Sequence, residues 1–165
     1  WLARMLAGGE DVKYILRRLV RFASEDVGLA DPNAMPQALA ARDAFQYLGS
    51  PEGELAVVQA VVYLSTAPKS NALYTAEQAA AKAAKLYGSL PPPSSILNAP
   101  TATMKELGYG EGYIYDHDTE HGFSGQNCFP ESMPRQHFYK PVERGFERDI
   151  NRRLAYWEKL RHAKR

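Results

Sequence analysis

Apolar residues recur at the three- and four-residue spacing of a helix face along most of the chain. A first helix ends where Gly8 and Gly9 interrupt that spacing, and a second covers the segment EDVKYILRRLVRFASEDVG. A third helix is expected to have Asp31 as its N-cap and Pro32 at its first position, and to end near Leu48. The N-terminal part of the chain is therefore predicted to consist of helices.

The helical pattern continues toward the C-terminus with one long interruption. A strongly apolar helix is expected over residues 51–66, buried on most of its sides, and an alanine-rich helix over 71–87. A short helix over 101–107 and a final amphipathic helix over 143–163 follow. Residues 90–100, LPPPSSILNAP, contain four prolines, which exclude regular helix and predict an extended connector.

Residues 109–142 form the interruption, because glycines and prolines break any periodicity there. At most a short hairpin is expected, pairing residues 113–115 with Phe138 and Tyr139. No alternation of strands with helices supports a parallel sheet. The predicted fold is all-α, with five to six helices, a proline-rich connector and a long irregular aromatic loop.

Composition agrees with a folded, soluble helical protein. The chain has 165 residues, 45% of them hydrophobic and 24% charged, and a net charge of +1. No apolar run is long enough to cross a bilayer, so no membrane partner is expected. The single Cys128 cannot form an internal disulfide, which suits a reducing cytoplasm. Helical spacing already begins at Trp1, which predicts that residues 1–8 are the end of a helix from an upstream domain of a longer protein.

Positive charge is concentrated near the C-terminus. Residues 31–134 hold 5 basic and 11 acidic side chains, whereas residues 135–165 hold 10 basic and 4 acidic ones. Such a basic segment either contacts nucleic acid or forms a solvated helix face. The candidate DNA contacts are Arg144, Arg148, Arg152 and Arg153, with Arg161 farther along.

No familiar catalytic motif occurs, but the segment GYIYDHDTEHGFSGQNCFPE groups several possible metal ligands. They are Asp116, His117, Asp118, His121 and Cys128. The surrounding glycines make a helix improbable there, so the four-residue spacing of the two histidines loses its meaning. The alternative is that these side chains hydrogen-bond to loop backbone. We predict no catalytic, cofactor or metal residue in this chain.

Two further groups of residues leave alternatives open. Lys69, Ser70 and Asn71 precede a predicted helix, where they could hold an anion or simply cap the helix. Tyr109 and Tyr113, with a further tyrosine two residues later, could stack on bases or pack the loop onto the core.

Four blocks of the sequence carry a family resemblance. They are RMLAGGED with YILRRLVRFASEDVGLADP, then YLSTAPKSNALYTA, NAPTATMKELGYGEGYIYDHD and FYKPVERGFERDINRRLAYW. Together they resemble the C-terminal region of the RarA/MgsA family of replication-associated recombination ATPases, which is related to the human Werner-helicase-interacting ATPase. The sequence departs from the family pattern at Val12, Ser95, Leu97 and Cys128.

The resemblance implies an all-α domain like the collar of clamp loaders, which holds an AAA+ ATPase as a homotetramer. Residues 1–8 would then belong to the AAA+ lid region and residues 9–165 to the oligomerisation domain. ATP and Mg²⁺ would bind the upstream core, so that this chain is itself not an enzyme. The partners implied are DNA and single-strand-binding protein, in the cytoplasm near the nucleoid. The motif residues implied for structure or interface are Lys69, Ser70, Asn71, Tyr74, Tyr109, Tyr113, His117 and Asp118.

Three hypotheses follow for the chain. The first is an oligomerisation domain, favoured by a helix with seven alanines that buries little area alone and by an aromatic loop with excess apolar surface. The second is a nucleic-acid-binding helical module that uses the basic C-terminal helix. The third is a small metalloenzyme built on the loop with the two histidines.

Overall fold

The computed structural model describes residues 1–163 and confirms the all-α class, with no strand among these residues. Its α-helices are α1 Leu2–Ala7, α2 Val12–Phe22, α3 Ala34–Leu48, α4 Glu54–Thr66, α5 Ala72–Tyr87, α6 Ala102–Glu106 and α7 Glu147–Ala163. Helix α2 runs on into a π-helical turn, Ala23–Val27, and a 3₁₀ turn, Gly28–Ala30. Two more 3₁₀ turns are Ser94–Ile96 and Asp116–Asp118. No helix among the described residues combines the length and apolar character needed to span a bilayer.

The chain divides into two compact units. Unit 1 contains residues 1–77 and 139–151, and unit 2 contains residues 78–138 and those from 152 onward. Unit 1 is therefore assembled from two segments that are far apart in sequence.

The core of unit 1 lies among α2, α3 and α4. Helix α3 contributes mostly alanines, which let the larger side chains of α2 and α4 approach its backbone closely. The buried set is Ile15, Leu16, Ala23, Val27, Ala34, Ala38, Ala41, Val57, Ala60, Leu64 and Ala67. Small residues on one helix and branched ones on its neighbours thus fill this core.

The start of α3 differs from the prediction. The helix begins at Ala34 rather than at Pro32, and Asp31 is not its N-cap. The Asp31 carboxylate instead accepts hydrogen bonds from the Asn33 N–H, at 3.0 Å, and from the Tyr63 hydroxyl, at 2.7 Å. Asp31 therefore keeps a local bond to the backbone and adds a contact with a distant residue, while the helix itself starts two residues later than predicted.

Helix α4 also differs from the prediction, both in its start and in its burial. It begins at Glu54, after a turn that contains a cis peptide bond between Ser50 and Pro51. It is not buried on most sides, because α3 and α2 cover only the face that carries Val57 and its neighbours one turn away. The opposite side of this apolar helix is exposed.

In unit 2, residues 109–138 are irregular and the expected hairpin is wrong. The Gln126 side chain takes the backbone groups that a strand partner would use, since it accepts from the Ile114 N–H, at 3.0 Å, and donates to the Gly112 carbonyl, at 2.6 Å. The loop packs on α7 through Phe123, whose ring stacks on Trp157 with centroids 6.1 Å apart. Side-chain contacts therefore fix this loop without regular structure.

The final helix begins later than predicted, at Glu147 instead of residue 143. Residues 143–146 form turns, and Gly145 there has a positive φ of 52°. A Cβ at Gly145 would overlap the Ala30 carbonyl oxygen, to which the Phe146 N–H donates at 2.8 Å. This close approach of two backbone segments requires glycine.

Candidate self-association surface

A buried carboxylate organises the region of unit 1 around the predicted motif residues. Glu147 has no exposed surface. Its Oε2 accepts from the Ser70 hydroxyl at 2.8 Å and from the Val142 N–H at 2.7 Å, and its Oε1 accepts from the Tyr139 hydroxyl at 2.8 Å. Three donors thus satisfy a buried charge that would otherwise be very costly.

The hydrogen bond to Glu147 also affects the pKa of Tyr139. Burial raises the pKa of Tyr139, and the hydrogen bond to the Glu147 carboxylate and its negative charge raise it further. The phenol therefore keeps its proton and remains a donor to Glu147 across the physiological range.

The sequence did not predict a role for Glu147, although it singled out Ser70. Its donors come from two segments, one at residue 70 and one at residues 139–142, and nothing local distinguishes Glu147 from Glu143, which is exposed. The only signal was its place within the family-like block FYKPVERGFERDINRRLAYW.

Ser70 and Lys69 have structural partners at the ends of two helices. The Ser70 hydroxyl accepts from the Ala72 N–H at 3.2 Å, at the start of α5. The Lys69 ammonium donates to carbonyls at the C-terminal end of α4, those of Leu64, at 2.8 Å, Ser65 and Ala67. A cation is favourable there because the helix dipole places negative charge at that end. The geometry therefore favours capping over anion binding for these residues.

The remaining motif residues lie on the surface. Asn71 and Tyr74 are exposed near the start of α5. In unit 2, the His117 ring contacts that of Tyr115, with centroids 5.0 Å apart. Asp118, Tyr109 and Tyr113 are exposed as well.

In the loop with the two histidines, side chains hydrogen-bond to backbone and contact aromatic rings. Within residues 1–163, no three His, Cys, Asp or Glu side chains come together as a metal site would require. The Asp116 carboxylate accepts from the Ser124 N–H at 2.7 Å, and the His121 ring lies edge-on to Tyr156, with centroids 6.4 Å apart. The side chains of this segment shape the loop.

The candidate DNA-contacting arginines fall into two groups. Arg144 and Arg148 belong to unit 1, and Arg152 and Arg153 to unit 2, and all four are exposed. Arg161 is different, because its guanidinium lies over Phe123, donates to the Gly125 carbonyl at 3.2 Å and pairs with Glu158. Arg161 thus holds the loop in place.

The strongest candidate for an interface is the exposed side of α4 in unit 1. Leu55, Val58 and Val62 follow one another at helical spacing and are 75%, 41% and 58% exposed. We call these three residues the α4 face. Tyr47 and Leu48, at the end of α3 that leads into α4, are also exposed. Large apolar side chains grouped on one helix face are typical of a surface that another chain covers.

Known protein families and individual relatives agree with the resemblance seen in the sequence. Residues 1–158 match a family model described as MgsA AAA+ ATPase C terminal. The chain is 50% identical over 161 residues to replication-associated recombination protein A of Coxiella burnetii, covering 97% of this chain and 37% of that protein. It is 46% identical over 157 residues to the protein of the same name from Escherichia coli K12, covering 94% and 35%.

A eukaryotic relative is also similar. ATPase WRNIP1 of Dictyostelium discoideum is 39% identical over 141 residues, covering 85% of this chain and 16% of that protein. This chain spans little more than a third of the length of the bacterial relatives it matches at about 50% identity.

Proposed function

Because the chain belongs to the family of MgsA AAA+ ATPase C-terminal domains, we propose that it is the oligomerisation domain of an AAA+ ATPase that acts in replication-associated recombination. The observation that carries this proposal is the α4 face, which has no partner among the described residues. Covering apolar surface with a second chain contributes roughly 25 cal/mol for each Å² removed from water.

The assembly we propose is a homotetramer. Tyr47 and Leu48 would extend the contact beyond the α4 face, because they are exposed at the end of the same helix pair. Tyrosine is among the residues that most often supply a large share of the binding energy at the centre of an interface.

Light scattering on the purified chain tests this proposal. The expected mass is four times the 18.4 kDa of one chain. Leu55→Glu places a charge on the α4 face and should reduce the mass, whereas Leu86→Glu changes an equally exposed leucine on α5 and should not. A monodisperse monomer at micromolar concentration would contradict the proposal, and loss of assembly in the α5 variant alone would contradict the α4 face as its interface.

The other properties of the whole protein are part of the same proposal. We place ATP and Mg²⁺ binding in the part of the relatives that this chain does not span, and we assign no catalytic step to this chain. DNA and single-strand-binding protein would be partners of the whole protein, in the cytoplasm near the nucleoid.

A second candidate function is nucleic-acid binding by unit 2. It is favoured by Arg152 and Arg153, two adjacent exposed arginines on α7. Binding of a fluorescent oligo-dT strand should weaken steeply as salt is added, because each neutralised phosphate releases counterions. Arg152→Gln together with Arg153→Gln should flatten that dependence, and no binding at low salt would eliminate this function.

A further inference from the structure

A cleft between α2 and α3 in unit 1 takes no part in the proposed assembly. It has a volume of about 300 Å³ and is lined by Lys13, Leu16, Arg17, Val20, Arg42 and Gln46. We call it the α2–α3 cleft. Helix α2 contributes the first four of these residues at the spacing of one helix face, and α3 contributes the other two one turn apart.

The base of the cleft is apolar. Leu16 is fully buried and belongs to the core, and Val20 is half-buried. No aromatic side chain lines the cleft among the described residues. The space above these two residues therefore suits an aliphatic or aromatic side chain from a ligand, and it offers no platform for stacking a base.

The rim of the cleft is positively charged. Lys13, Arg17 and Arg42 are all exposed. Arg42 pairs with Asp43, with Nη2 and Oδ1 2.8 Å apart, but no carboxylate within residues 1–163 pairs with Lys13 or Arg17. Helix α2 itself, VKYILRRLVRF, contains no acidic residue. Two cations thus remain available beside the apolar base.

We propose that the α2–α3 cleft binds an acidic peptide segment that places one apolar side chain against Val20, over the buried Leu16, and its carboxylates against Lys13 and Arg17. Charge complementarity selects the acidic residues, and the apolar base selects the single anchoring side chain. Nucleic acid satisfies only the first requirement, because its phosphates would leave the exposed part of Val20 in contact with water. The cleft shares no residue with the α4 face, so this binding and self-association can be tested independently.

Fluorescence anisotropy with a labelled peptide, Asp-Asp-Leu-Asp-Phe-Asp-Asp, tests the proposal on the 165-residue chain. The peptide should bind, and two matched peptides should bind at least about tenfold more weakly. One matched peptide replaces each Asp by Asn and the other replaces Leu and Phe by Ser. Equal binding of the serine peptide would overturn the proposal, because the apolar base would then contribute nothing. Absence of binding at about 1 mM chain would also overturn it.

The chain provides a matched pair of variants. Arg17→Glu should weaken peptide binding at least about tenfold, because it reverses a charge on the rim. Arg18→Glu makes the same change on the next residue, which is also exposed but lines a separate cavity with Glu25 and Asp26, and it should change binding by less than about threefold. Equal losses in both variants would indicate general charge attraction and overturn the proposal.

Two further measurements complete the test. Lys13→Glu should reproduce the effect of the Arg17 variant, so the result does not depend on the folding of one variant. Unlabelled oligo-dT should not displace the peptide at matched charge and physiological salt. Displacement by oligo-dT would assign the cleft to nucleic acid instead of an acidic peptide, and would overturn the proposal.

Discussion

The Ser70 hydroxyl donates a 2.8 Å hydrogen bond to the carboxylate of Glu147, which lies 77 positions later in the chain and has no exposed surface. Because Val142 and Tyr139 donate to the same carboxylate, both segments of unit 1 depend on one side chain. Glu147→Ala should therefore destabilise the fold by about 3–5 kcal/mol, since it leaves three donors without an acceptor.

Glu147→Gln is the matched variant and should cost much less. Its amide oxygen can take the place of Oε2 and accept from Ser70 and Val142, while its NH₂ donates to the Tyr139 hydroxyl, which can also accept. Urea unfolding measures both variants. Equal losses of stability in the two would contradict this account, because a loss shared by Ala and Gln would come from charge and not from unpaired donors.

Because of Tyr139, the stability of unit 1 should depend on pH in the alkaline range. Its folded pKa is raised above the ordinary value of about 10, first by burial and then by its hydrogen bond to Glu147. The unfolded chain therefore loses this proton first, so Tyr139's contribution to stability is complete below about pH 10 and is lost as the pH rises through the folded pKa. Each pH unit in that window should cost about 1.4 kcal/mol.

The measurement is the free energy of unfolding in urea between pH 8 and pH 11. Tyr139→Phe should lower stability at neutral pH, because the donor to Glu147 is lost, and should flatten the alkaline decline. Tyr113→Phe, at an exposed position, should leave the decline unchanged. An alkaline slope that is identical in wild type and the Tyr139 variant would contradict this assignment.

Lys69 should stabilise the C-terminal end of α4. Lys69→Met keeps most of the aliphatic chain but removes the ammonium that donates to the carbonyls of Leu64, Ser65 and Ala67. We expect a loss of about 1–2 kcal/mol in urea unfolding. Lys82→Met, at an exposed position of α5, should lose less than about 0.5 kcal/mol. A similar loss in both variants would contradict a capping role.

Alanine substitutions at Gly145 and Gly122 distinguish the cost of backbone strain from the cost of steric overlap. Both have positive φ, 52° and 60°, but an added Cβ meets the Ala30 carbonyl at Gly145 and nothing within 4 Å at Gly122. Gly122→Ala should therefore cost about 1 kcal/mol, and Gly145→Ala at least about 3 kcal/mol. Thermal unfolding by circular dichroism compares the two. Similar melting temperatures would contradict the close approach of residues 30 and 145.

The spacing of apolar residues was sufficient to predict the helices whose ends have local signals. Helix α5 begins and ends within one residue of the prediction, because Ser70 precedes it and Gly88 follows it. The start of α3 was predicted two residues too early: the Asp31 carboxylate does accept from the local Asn33 N–H, but residues 32 and 33 form a turn that precedes the helix. Local chemistry therefore places a helix end to within a residue or two, without distinguishing the first helical residue from a turn before it.

Burial was harder to predict than helix formation. The apolar pattern of α4 predicted burial on most sides, since it does not distinguish a side packed in the same chain from one left exposed. Leu55 and Val57 are equally apolar, yet only Val57 packs against α2 and α3. Glu147 presents the opposite case, because its burial depends in part on Ser70, a donor 77 positions away that no local window contains.

The two-segment construction of unit 1 affects its synthesis on the ribosome. Ser70 leaves the exit tunnel 77 residues before Glu147, which at elongation rates of about 5–20 residues per second is a delay of roughly 4–15 seconds. Residues 1–77 must spend that time without the acceptor that joins them to residues 139–151. Final closure of unit 1 is consequently a late event in translation, after all of residues 78–138 have been made.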